Sequence, residues 1–133
     1  MSEAELKEKF KYMCEALGGR LKQSEVKALG ITELSCLLDK PRMVHVDVKD
    51  DELTIFVEPP IFYGKWSAGF SFPLPKITTI GSALIKKGSE ISTNVEASAI
   101  TLHKDGSVSI EGTIPSAKKY YEWLKELEKK VFE

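Results

Sequence analysis

Arginine, histidine and cysteine are scarce in this sequence, and each shortage excludes something. Lysine outnumbers arginine 17 to 2. Arginine is the usual bidentate reader of phosphate and guanine, so Arg20 and Arg42 are a thin supply for a nucleic-acid site. The net charge is −1, which gives no overall field to gather polyanions or anionic lipid. No apolar run approaches the roughly 20 residues of a membrane-spanning helix. The opening Met1-Ser2-Glu3-Ala4-Glu5 is acidic, unlike the basic start of a signal peptide. Gly64, Gly69, Gly81 and Gly88 fit no phosphate-binding loop, and no serine sits in a nucleophile elbow. No histidine or cysteine pair has metal-ligand spacing. Asp50-Asp51 has the character of a turn with wet carboxylates. The expectation is therefore a protein without cofactor or resident metal, and one that is not an enzyme. The two cysteines, Cys14 and Cys36, each stand in an apolar, helical-looking context. With no secretion signal, reduced buried thiols and a cytosolic location are expected. Glutamate outnumbers aspartate 15 to 5, and lysine with glutamate enrichment is a proteome-level mark of hyperthermophiles.

What is present reads as one ordinary globular domain. The 133 residues are 42% hydrophobic and 29% charged, enough to bury a real core. The clearest stretch is Ser98 to Val131. Ile100 and Leu102 alternate with Thr101 and His103, and Val108 and Ile110 alternate with Ser109 and Glu111. Period two marks half-buried strands. Lys104-Asp105-Gly106 between them suits a three-residue hairpin loop, with Gly106 taking positive φ. The register follows: His103 opposite Ser107, Leu102 opposite Val108, Ile100 opposite Ile110.

Upstream, Ser2 and Glu5 form a capping box for a helix over residues 2–17, stopped by Gly18-Gly19. Residues 43–58 form a second hairpin, with a two-residue turn at Asp50-Asp51. Its register pairs Lys49 with Glu52, Val48 with Leu53, Val46 with Ile55 and Val44 with Val57, and His45 falls opposite Phe56 on the other face. Pro59-Pro60 ends that strand. Trp66, Ala68, Phe70 and Phe72 alternate with small residues as a third strand. Lys76 to Lys87 carries Ile77, Ile80, Leu84 and Ile85 at helical spacing before Gly88. Residues 89–97 are extended, and a bulge near Glu96 to Ser98 explains a switch of apolar phase. Pro115 opens a C-terminal helix to residue 131, with Tyr120, Leu124 and Leu127 in its apolar stripe. The fold expected is α+β: an antiparallel sheet of about five or six strands, with the N-terminal and long C-terminal helices packed on one face. It is a single domain over residues 1–133. Residues 1–40 are helical, residues 43–112 mainly β with a helix at 76–87, and residues 115–131 the last helix.

Residues 23–38 read as two short helices, capped by Ser24 and Thr32 and broken at Gly30. This stretch resembles the helix-turn-helix of bacterial and archaeal repressors, where a short helix ending in Leu-Gly-Ile precedes a Ser or Thr cap. It departs from that family in the spacing of Val26 and Leu29. The would-be recognition helix, Glu33 to Leu38, also lacks base-reading side chains. The resemblance implies a DNA-binding regulator.

Two groups of residues are candidate sites. Phe62, Tyr63, Lys65 and Trp66 lie in or beside an aromatic loop, and clustered exposed rings mark contact surfaces. His45, Asp47, Phe56 and His103 fall on the polar faces of the two hairpins. Were the hairpins adjacent, two imidazoles and a carboxylate could take a metal or do acid-base work. The leading functional expectation is a small cytosolic binding or protein-interaction module, self-associating, that uses an open sheet face and the aromatic loop. Its partner is another protein or a second copy. A carrier of a small apolar ligand, held between sheet and C-terminal helix, is the alternative, with the DNA-binding regulator third. Neither nucleic acid nor membrane is an expected partner.

Overall fold

The computed structural model of the chain describes residues 2–26, 31–57 and 69–132. Helix α1 (Glu3–Leu17) comes first, followed by strands β1 (Arg20–Val26), β2 (Ile31–Lys49), β3 (Glu52–Phe56) and β4 (Gly69–Pro73). Then come β5 (Ile77–Ile80), β6 (Ala83–Lys86), β7 (Ile91–Leu102), β8 (Val108–Thr113) and helix α2 (Ala117–Phe132). The protein is α+β, as the pattern suggests, but the described residues form an eight-stranded sheet rather than one of five or six. The strand order is β4-β3-β2-β7-β8-β5-β6, with β1 also paired to β2. All pairings are antiparallel except β5 with β8.

The organising strand is β2. One edge of it pairs with β7 along most of its length, while the other edge holds β1 and then β3. Between Leu37 and Arg42 the chain takes five steps while β7 takes two, from Ala99 to Ala97. Pro41 falls in that interval and cannot donate a ladder bond. The extra residues bend β2 into a lower half with β1 and an upper half with β3.

Helix α1 packs on the inner face. Ser2 caps it, its hydroxyl accepting from Glu5 N at 3.2 Å, and Gly18 ends it at φ 70°. The Arg42 guanidinium donates to the Leu17 carbonyl, satisfying an orphan acceptor of the last turn. Leu6, Phe10, Met13, Cys14 and Leu17 are buried against Val44, Val46, Val48, Leu53, Ile55, Val95, Ile100 and Ile110. Each such side chain contributes roughly 1.5–3 kcal/mol over leaving it exposed.

Both hairpin registers are observed. Lys49 pairs with Glu52 and His45 with Phe56, and Asp50 and Asp51 both hold positive φ, as a two-residue primed turn requires. Leu102 pairs with Val108 and Ile100 with Ile110, and Gly106 sits at φ 89°. The bulge is present as well: β7 takes two steps from Ala97 to Ala99 while β8 takes one from Gly112 to Glu111. It depends on Gly112, where a Cβ would lie 2.0 Å from the Glu96 carbonyl oxygen.

Four expectations are corrected. Residues 20–26 and 31–37 are paired strands, not short helices, because Leu34 and Cys36 alternate with Glu33 and Ser35 and bury one face. The resemblance to a helix-turn-helix thus has no recognition helix among the described residues. Residues 76–87 form the β5–β6 hairpin, whose Thr78, Ile80 and Ile85 face inward while Ile77 and Leu84 are exposed. The β-branched run Ile77-Thr78-Thr79-Ile80 favours a strand over a helix. Cys14 and Cys36 are joined in a disulfide that ties α1 to β2, so the reduced-thiol argument for the cytosol falls. Finally, α2 does not share the core face with α1. Tyr120, Trp123, Leu124 and Leu127 are only half-buried, and Lys119 reaches Glu96, on the opposite side of the sheet, at 2.7 Å. Among the described residues no helix is long and apolar enough to cross a membrane.

Candidate functional site: the outer face of the sheet

The face turned away from α1 is polar, and its side chains line up in rows across the strands. In the upper half one row runs Gly69, Phe56, His45, Asn94, and the next runs Ser71, Thr54, Asp47, Ser92. In the lower half a row runs Lys22, Ser35, Thr101, Ser109, and beside it lie Ser24, Glu33 and His103. The bulge at Ala97/Ala99 makes this possible. It lets even-numbered Ser92 and Asn94 and odd-numbered Thr101 of one strand, with His103 just after it, face the same way.

The upper rows close on His45. Its Nδ1 lies 3.0 Å from the side-chain oxygen of Asn94, and its Nε2 lies 2.9 Å from Asp47 Oδ1 and 3.1 Å from Ser92 Oγ. The Ser92 hydroxyl donates to Asp47 Oδ1 at 2.7 Å. The Phe56 ring stands 5.9 Å from the imidazole, and Thr54 and Ser71 share a hydrogen bond at 2.8 Å. The Asp47 carboxylate only accepts, so Nε2 carries the ring hydrogen, and the Asn94 amide, whose oxygen and nitrogen are interchangeable in position, turns its NH2 to donate to Nδ1. His45 is thus clamped between Asn94 and Asp47, and its nitrogen beside Ser92 is a donor.

The lower rows close on His103. Its Nδ1 lies 2.9 Å from Glu33 Oε1, and its Nε2 lies 2.6 Å from Ser109 Oγ. Glu33 also only accepts, so here the ring hydrogen belongs on Nδ1 and the Nε2 lone pair meets the Ser109 hydroxyl. Beside this group Ser35 and Thr101 hydroxyls bond at 3.1 Å. His103 and Glu33 side chains are 31% and 36% exposed, so solutes reach the group without a gate. A cleft of about 180 Å³ opens at the same end of the sheet but on the α1 side, floored by Leu6, Leu34 and Leu102 and rimmed by Lys7, His103 and Asp105. Burial raises the Asp105 carboxyl, but hydrogen bonds from the Ser107 hydroxyl and amide, with His103 nearby, lower it by more and hold it below the usual range.

Of the residues singled out from sequence, His45, Asp47 and Phe56 come together. His103 does not join them: it directly follows the last residue of β7, nine residues from Asn94 and beyond the Ala97/Ala99 bulge. The two-imidazole metal arrangement is therefore corrected, and no metal-capable cluster occurs among the described residues. Phe62, Tyr63, Lys65 and Trp66 lie outside the described residues, in the segment that connects β3 to β4. Sequence reading missed Ser92 and Asn94, although their alternation was visible. It missed Glu33 and Ser109 as partners of His103, because Glu33 was assigned to a helix. Comparisons with protein-family models, with curated proteins and with solved structures return no match.

Proposed function

We propose that this protein is a binding module that engages a protein partner, a second copy in the first instance, through the upper half of its outer sheet face. One observation supports this reading most: the rows around His45 form an ordered polar surface, half-exposed, with an aromatic ring set into it. Polar groups held in place by their neighbours lose little freedom on binding, and a ring beside them supplies apolar area. The chain between β3 and β4 leaves this surface beside the Phe56–Gly69 pair and carries Phe62, Tyr63, Lys65 and Trp66. On this reading those residues extend the contact surface, each buried ring contributing on the order of 1–3 kcal/mol. The apolar-carrier alternative lacks comparable support, since the described cleft lies against α1 rather than α2.

Sedimentation across a range of concentrations, with urea unfolding of the same samples, tests the proposal. The double change Phe62→Ser, Tyr63→Ser should weaken self-association tenfold or more while leaving the urea midpoint close to that of the parent. A parent that stays monomeric at every concentration, or a midpoint that collapses in the double variant as core truncation would make it, refutes the proposal.

A further inference from the structure

We infer that Ser109 is a nucleophile activated by His103, and that the lower half of the outer face transfers acyl groups from small activated esters. This site does not rest on the binding surface around His45, which lies at the other end of β7.

Three observations carry it. The first is connectivity of the side chains: acid, imidazole and hydroxyl stand in sequence, with Glu33 Oε1 2.9 Å from Nδ1 and Ser109 Oγ 2.6 Å from Nε2 of one ring. A carboxylate at Nδ1 fixes the tautomer that leaves Nε2 free to take the serine proton. The second is rigidity. Glu33 and Ser109 stand on β2 and β8 and His103 directly follows β7, and the pairing of these strands flanks the site at Leu34–Leu102 and Leu102–Val108. The third is access: the His103 and Glu33 side chains are about one-third exposed on the outer face.

The chemistry balances without any further reagent. Ser109 Oγ attacks the ester carbonyl carbon, and its proton passes to His103 Nε2. The bond from carbonyl carbon to leaving-group oxygen breaks, and His103 returns the proton to the departing alcohol or phenol. Water then attacks the acyl-serine with His103 as base, releasing the acid and restoring Ser109.

The surroundings also set the substrate class. Ser109 lies within the β7–β8 ladder opposite Thr101, not at a turn or helix N-terminus where successive amides converge on an oxyanion. The hydroxyl of Thr101, the cross-strand partner of Ser109, stands next on that row and shares a hydrogen bond with Ser35. A lone hydroxyl stabilises an oxyanion less than a preorganised pair of amides. The site therefore suits esters with good leaving groups, such as aryl esters.

The test uses the full chain with a fluorophosphonate and with p-nitrophenyl acetate. In the fluorophosphonate reaction the Ser109 oxygen–phosphorus bond forms, fluoride leaves, and His103 takes the proton. The expected result is a single mass increment mapped to Ser109. The expected rate is about 10²–10⁴-fold above that of the urea-unfolded chain, falling by a similar factor in His103→Ala. Glu33 is a positioning residue, so Glu33→Gln should retain labelling at a reduced rate with an altered pH profile. Labelling elsewhere, no labelling, or equal rates in native and unfolded protein overturns the inference. The native-to-unfolded ratio needs no variant, so a poorly folding His103→Ala leaves the test intact.

Discussion

The upper and lower halves of the outer face share strands β2 and β7 and use nearly the same side chains, yet they present opposite chemistry. Each centres on a half-exposed histidine flanked by a carboxylate and a serine. At His45 the carboxylate and the serine sit at the same ring nitrogen, and the serine hydrogen goes to the carboxylate. At His103 they sit at opposite nitrogens. The first arrangement locks a surface in place; the second leaves a basic lone pair on a hydroxyl. The difference comes from register. Asp47 lies two residues from His45 on the same strand, with Ser92 directly across from Asp47, so both crowd one edge of the ring. Glu33 and Ser109 come from the two strands that flank His103 and so approach from either side.

The bulge that puts both halves on one face is the most sensitive point of the comparison. Gly112→Ala would drive a Cβ to 2.0 Å from the Glu96 carbonyl oxygen, a backbone atom that cannot step aside. A loss above about 3 kcal/mol is expected in urea unfolding, at the upper end of overpacking effects. A loss below about 0.5 kcal/mol would mean that the strands slip past each other easily, and the shared face would not be held.

A slightly smaller effect separates the halves. Cys36 lies in the lower half of β2, bonded to Cys14 across a sequence separation of 22. Loop-closure entropy puts that cross-link at about 3 kcal/mol. Replacing both cysteines by alanine should speed amide exchange at residues 34–37 more than at residues 44–48. Uniform loss of protection would show that the two halves of β2 unfold as one unit and that the bend does not divide them.

Much of this architecture was legible because local chemistry and burial agree. The Asp50-Asp51 and Lys104-Asp105-Gly106 turns, the Ser2 cap and the phase switch before Ser98 each have a local cause. Residues 23–40 misled because Ser24, Gly30 and Thr32 imitate helix caps, while the strand was decided by pairing of Ile31–Leu37 with the adjacent β1 and, at long range, of Leu34–Leu37 with β7. That one error hid two further features. Cys36 on an inward-facing strand meets Cys14, and Glu33 on the outward side meets His103. The partners of His103 are 70 residues and 6 residues away in the chain, so spacing alone could reveal one but not both.

The central claim is the opposed tautomers of the two rings, and long-range proton–nitrogen correlation of the imidazoles reads them directly. His103 should carry its hydrogen on Nδ1, with Nε2 showing the nitrogen signature of a free lone pair. His45 should carry its hydrogen on Nε2. Both rings in one tautomer, or His103 protonated at Nε2 while its Nδ1 is bare, would contradict the account.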